Sequence, residues 1–320
     1  MKKDIIKEFL AKYATALSTL IIFVIFSIAI NNFFSAMNIF MLLRQMSMLT
    51  IIALGFILVM GSGGFDMSIG NSVGLVSMMF ALVFINTNNI WFALIISIAC
   101  GPLVGLVNGV LTAYLGLPDF IATFSVGSIV YGFKMMLTKG NPIFFPNNMP
   151  AFFEFIGQGY VGPVPFPVII MLIVLLLFIF ITRKTAFGRR LYAIGGNMVA
   201  SIYAGIDVKK YKVLAYLVLG FCVAIAAILL TSRLGSAQPL AGEDYLLDVI
   251  AVCFLSTTMF GNGEPTALGV FVGAFMIAML GNGLTMLNVQ YYFQYITKGF
   301  VVVIAIFLSV LLGQKGRAKI

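Results

Sequence analysis

Apolar residues run along this chain in long blocks that lack a polar face. The blocks cover approximately residues 14–31, 45–61, 67–87, 90–114, 119–138, 166–182, 213–232, 246–261, 266–286 and 292–313. A surface helix of a soluble domain shows a polar stripe, and a buried strand ends after a few residues. Helical blocks of about 16 to 24 apolar residues match the thickness of a bilayer's hydrocarbon core. A helix also satisfies its own backbone N–H and C=O groups there. The pattern predicts an all-α polytopic membrane protein of about ten transmembrane helices, read as one transmembrane domain over residues 1–320. The second and eighth blocks are short, and each runs into glycine-rich sequence. The longest strongly charged interruption is RKTAFGRRLYAIGGNMVASIYAGIDVKKYK, residues 183–212.

Composition fits a surface that meets lipid. Hydrophobic residues make up 62% of the 320 positions and charged residues 9%, with a mean hydropathy of +1.11. A soluble domain carries about a quarter charged residues. The net charge of +9 does not indicate a nucleic-acid partner, because the basic residues cluster between apolar blocks and not along a soluble groove. The absence of histidine removes His-based acid–base catalysis and most zinc sites. No catalytic residue and no metal site are expected. Cys100, Cys222 and Cys253 each sit alone in an apolar block and read as small buried hydrophobes. The start, MKKDIIKEFLAKY, leads into an apolar run without a clear small-residue cleavage site, which predicts a retained first span.

Charge placement gives an orientation. Fourteen of the nineteen Lys and Arg residues lie near the N-terminus, in 183–212, or near the C-terminus. Cytoplasmic loops carry such an excess, so the loop and both termini are expected in the cytoplasm. An even number of spans must then separate each pair of these regions, and the blocks supply six and then four. Arg44, Lys134, Lys139, Arg233 and Lys298 fall near external span ends. The stretch 140–165 has no Lys or Arg and is expected outside. Its Phe144, Phe145, Phe152, Phe153 and Tyr160 read as an aromatic belt at the outer interface, with a docking surface as the alternative.

Within the charged stretch lies GGNMVASIYAGI. Asn197 is a good N-cap and Gly205 a good terminator, so about two turns of helix are expected between them. Ala200 and Ala204 share one face, and Met198 and Ile202 form an apolar pair. So short a helix is unstable alone in water and needs a surface to pack on. That surface is either this chain's own spans or a groove in a partner.

Two span junctions carry a glycine-rich turn with one acid: Gly63, Gly64 and Asp66, then Gly263 and Glu264. Each is followed by a pair of small residues four apart, Gly70 and Gly74 or Gly269 and Gly273, and the likeness fits a weak internal repeat. Asp66 reads first as the N-cap of the third span and secondly as a gating residue. Gly101, Gly105 and Gly109 share a face and allow close helix packing. Asn71, Asn108 and Asn282 are neutral hydrogen-bonding groups in spans. They either line a pathway or satisfy neighbouring groups.

The chain resembles the permease subunits of bacterial ABC importers for ribose and similar simple sugars. In that family the charged loop reads close to GRxxYAxGGNxxAAxxxGI, against GRRLYAIGGNMVASIYAGI here. LRQMSMLTIIALGFILVMGSGGFDMSIG, GLVNGVLTAYLGLPDFIATFSVGSIVYG, SAQPLAGEDYLLDVIAV and GNGLTMLNVQYYFQYITKGFVVVIAI match in the same order. The resemblance implies a multi-pass subunit of the bacterial cytoplasmic (inner) membrane, with no enzymatic activity of its own. It implies that Asn197, Met198, Ala200, Ile202, Ala204 and Gly205 belong to a coupling helix docked on a cytoplasmic ATPase subunit, which binds the ATP. An extracytoplasmic solute-binding protein and a second permease copy are the other implied partners. A secondary transporter for a small polar solute is the alternative, but it calls for acids at the membrane midplane. A membrane-embedded enzyme is disfavoured by the lack of histidine and of clustered carboxylates.

Overall fold

In the computed structural model the apolar blocks form helices; the structure describes residues 2–145, 149–259, 263–301 and 303–304, with side chains from Thr15 onward. The order is α1 (Lys2–Ala29), α2 (Ala36–Gly61), α3 (Ile69–Thr87), α4 (Ile90–Ala113), α5 (Asp119–Thr138), β1 (Ile143–Phe144), α6 (Ala151–Gln158), β2 (Tyr160–Val161), β3 (Val164–Pro165), α7 (Phe166–Lys184), α8 (Ala186–Gly196), α9 (Met198–Tyr203), α10 (Val208–Leu234), β4 (Ser236–Ala237), α11 (Glu243–Thr257) and α12 (Ala267–Met286). Residues 291–301 are also helical. Among the described residues, seven helices are long and apolar enough to cross a membrane: α2, α3, α4, α5, α7, α10 and α12. α1 carries a shorter apolar stretch, Thr15–Ala29, and α11 has 15 residues. The last expected span, 292–313, and Lys315, Arg317 and Lys319 lie partly or wholly outside the described residues.

α2 starts at Ala36 and not near residue 45. Asn38, Arg44 and Gln45 interrupt the hydropathy but not the helix. Asn38 keeps its amide paired, donating to the Phe33 carbonyl at 2.8 Å and to Asn282 Oδ1 at 3.1 Å.

The chain divides into two compact units, residues 47–246 and residues 1–46 with 247–320. In the larger unit α4 and α10 pack most closely. A Cβ added to Gly101 or Gly105 would overlap the backbone of Gly220 or Tyr216, and one on Gly109 would lie 2.9 Å from Val213 Cα. The expected small-residue face is thus a backbone-to-backbone seam, with Gly220, Tyr216 and Val213 as the facing residues. Gly70 and Gly74 are packing positions too, against the turn 239–242, with Glu243 also beside Gly70 and the Lys134 side chain also beside Gly74.

The two ends of this unit differ. At one end meet the α2–α3 connection, the α4–α5 connection and the α8–α9 loop. There Gly195 packs on the Gly61 backbone, Lys212 pairs with Asp119 at 3.2 Å, and Lys209 lies over the Tyr114 ring. At the other end β1 pairs antiparallel with β4, Ile143 opposite Ala237. β2 and β3 form a second small ladder, Tyr160 opposite Pro165. The stretch 140–165 corrects the aromatic-belt expectation in part. Phe144, Phe152 and Tyr160 are exposed, but Phe153 is buried and stacks on Phe80 at 4.2 Å. Phe145 meets the edges of Phe80 and Phe84. The Phe153 carbonyl accepts a hydrogen bond from Ser232 Oγ, which fastens α6 to the end of α10.

In the smaller unit α1 packs on α12, with Phe26 against Gly283 and Phe23 against Phe275. Gly269 and Gly273 admit Ser256 and Val252 of α11, so they are packing positions.

Candidate coupling surface and polar breaks

The charged stretch folds as two helices. Thr185 caps α8, its Oγ1 accepting from the Gly188 N–H at 3.2 Å. Charge pattern alone makes 183–190 a basic flank and hides this helix. The signal that reveals it is a Thr cap followed by Leu191 and Ile194 on one face; both are buried. Arg190 hydrogen-bonds to the Tyr211 hydroxyl and lies over that ring, tying α8 to α10.

Asn197 begins α9 as expected. Its Oδ1 accepts from the Ala200 N–H at 3.0 Å, one of the donors a helix start leaves unpaired. Gly205, at φ +76°, ends the helix in the left-handed region. Only Ser201 of α9 is buried, and its hydroxyl returns to the Asn197 carbonyl. Met198, Val199, Ile202 and Tyr203 are half to almost fully exposed, and Ala200 and Ala204 are exposed as well. Met198 and Ile202 overlook a cleft of about 420 Å³ whose other wall is the α4–α5 turn with Leu117 and Asp119. A capped helix therefore presents an apolar face at the basic end of the larger unit.

At the α2–α3 break, Gly63 takes φ +76° and the Gly64 N–H returns to the Val59 carbonyl. Asp66 is not the N-cap of α3. Ser68 holds that position, without a side-chain cap bond. Asp66 lies two residues upstream, where Oδ1 accepts from the Ser68 N–H and Oγ, each at 2.7 Å. Its Oδ2 accepts from Asn108 Nδ2 of α4 at 3.0 Å. Burial pushes this carboxyl above the usual carboxylate range, and the Ser68 and Asn108 bonds pull the other way. Tyr216 donates to the Phe65 carbonyl at 2.9 Å and pins the same loop to α10.

The second break differs. Gly263 also takes a left-handed φ, +67°, but Glu264 is exposed and Thr266 caps α12. The glycine turn recurs; the buried carboxylate does not.

The three expected asparagines go to separate places. Asn108 is fully buried on Asp66 and Ser68. Asn282 exchanges amide hydrogen bonds with Asn38 in the smaller unit. Asn71 donates to the Gly127 carbonyl and accepts from Lys134 Nζ at 2.9 Å. The Lys134–Glu243 pair, 3.7 Å apart, escapes sequence reasoning; its lysine is fully buried and its glutamate half-exposed. The two residues are too far apart in sequence for any local spacing to reveal them.

Residues 38–309 match the family described as branched-chain amino acid transport system / permease component. The chain belongs to this family. It is 36% identical over 312 residues to the ribose import permease protein RbsC of Haemophilus influenzae, covering 97% of this chain and 96% of that one. It is 36% identical over 298 residues to RbsC of Bacillus subtilis, covering 93% and 92%. To the D-allose transport system permease protein AlsC of Escherichia coli it is 32% identical over 305 residues, covering 95% and 93%. No solved structure matches it. The chain is thus a transport permease, a multi-pass protein of the bacterial inner membrane.

Proposed function

We propose that this chain is the membrane-spanning permease subunit of an ATP-driven importer for a simple sugar or sugar-like solute. Its relatives named for ribose and allose import, similar over nearly their full lengths, support the solute class. The observation that carries the coupling role is α9, capped by Asn197 and closed by Gly205, with its apolar face uncovered. On this reading a cytoplasmic ATPase subunit binds the ATP and receives α9. An extracytoplasmic binding protein delivers the solute, and a second permease copy completes the membrane part. The basic loop and both chain termini lie in the cytoplasm.

Ala200→Arg tests the docking. The substitution puts a charge on the small exposed face of α9, outside the membrane, so the permease still inserts. Burying that charge unpaired against a partner costs several kcal/mol, and about 3 kcal/mol is a loss of more than a hundredfold in affinity. The expected result is loss of ATPase co-purification with the tagged permease and loss of ATP-dependent uptake. Full ATPase recovery with normal uptake would remove α9 from the interface. Uptake that survives ATP depletion but not an uncoupler would instead favour a secondary transporter.

A further inference from the structure

The connection from α10 to α11 is not helical, yet it runs beside a spanning helix. Ala237 packs with Met78 and Ala81 of α3. Further along, Pro239 lies against Gly74 and Gly242 against Gly70. From Ala81 back to Gly70 the segment follows α3 for about 16 Å at the helical rise. α3 has 19 residues and so spans about 28 Å, close to the hydrocarbon thickness. Residues 237–242 therefore sit at membrane depth. Non-helical backbone survives there only when buried in protein or when it lines a water-filled cavity.

One side of the segment is packed on α3. The other side exposes Gln238, Leu240 and Glu243. Behind Glu243 stands the fully buried Lys134, whose amine also donates to Asn71 and lies 5.0 Å from the Tyr131 ring centre. Tyr131 is exposed on the same helix as Lys134. A charged side chain turned towards lipid at this depth is strongly disfavoured, whereas one facing a water-filled cavity is not. Acids in the first turn of α11 offset its helix dipole, but that accounts neither for the buried lysine nor for the exposed Gln238.

We propose that Gln238, Glu243, Asn71 and Tyr131 form this chain's part of the wall of the solute path. The inference rests on the permease reading and adds where the solute passes. The solute it fits is neutral and polyhydroxylated: the Glu243 carboxylate accepts from hydroxyls, the amides of Gln238 and Asn71 donate and accept, and the tyrosine ring offers a flat apolar face. Lys134 is a positioning residue that holds the carboxylate. Gly70 and Gly74 let the segment lie close enough to α3 to leave the path open.

The test is water access. Gln238→Cys and Glu243→Cys are made singly in the whole importer, with Cys100, Cys222 and Cys253 replaced by alanine. Leu176→Cys, on the exposed apolar face of α7, is the lipid control. Right-side-out and inverted vesicles receive 2-sulfonatoethyl methanethiosulfonate. Both path positions should react about tenfold or more faster than the control from at least one side, because a charged reagent avoids lipid. Gln238→Cys leaves the Lys134–Glu243 pair intact and decides the matter should Glu243→Cys misfold. Reaction no faster than the control from either side would overturn the proposal. Labelling does not depend on the energy source. A failed ATP test leaves this result standing, and an unlabelled path in an ATP-driven importer sinks only this inference.

Discussion

A buried carboxylate needs a partner for each oxygen, because an unpaired polar group loses its hydration without return. Asp66 meets this with Ser68 on one oxygen and Asn108 on the other. Asp66→Ala would strand the Ser68 N–H and the Asn108 amide at a cost of about 1–3 kcal/mol. The expected outcome is a lower melting temperature for the permease purified in detergent. Asp66→Asn keeps an acceptor oxygen and relieves the buried charge, so it should recover most of the loss. Equal losses in the two variants would mean that the charge matters more than the hydrogen bonds. The pattern of glycines locates this acid at a break but suggests a capping role that Ser68 fills instead. Caps are local chemistry, so Asn197 and Gly205 are readable from a few neighbours. Asn108 lies 42 residues from Asp66, and no local rule connects them.

At the scale of elements, the spanning helices are legible because lipid demands long apolar runs. Short helices are not. α6 and α8 are 8 and 11 residues long, too short to register against the blocks beside them, and tertiary contacts hold them in place. The α4–α10 seam is half legible: the spacing of Gly101, Gly105 and Gly109 shows a close contact, but not which helix meets it. Gly105→Val should overlap the Tyr216 backbone, which cannot move aside as a side chain does. Overpacking of this kind costs about 1–3 kcal/mol or more. The amount of folded protein in the membrane should fall. Gly132→Val, on α5 with nothing within 4 Å, should leave that amount nearly unchanged. Equal yields of the two variants would remove the seam as a determinant of folding.

For the whole molecule, the positive-inside count and the geometry of residues 47–246 rest on different physics and address different questions, the side of the membrane and the grouping of the loops. Charge asymmetry makes the cytoplasmic side the expected place of the basic loop. Packing independently gathers the α2–α3 break, the α4–α5 turn and the α8–α9 loop at one end, and the ladder of Ile143 with Ala237 at the other. The descending segment 237–242 is illegible in the sequence, since hydropathy shows only a short break between two apolar blocks there, and its depth comes from the contacts of Gly70 and Gly74. Reporter cysteines test the resulting orientation. In a background without native cysteines, Lys2→Cys, Lys209→Cys and Lys319→Cys should resist an impermeant thiol reagent applied to intact cells and react after permeabilisation. Tyr160→Cys is the external reporter, because Tyr160 is exposed in the ladder of β2 with β3. It should react in intact cells. External labelling of Lys209→Cys with the membrane sealed would invert the chain, put α9 outside, and leave an ATPase nothing to dock on.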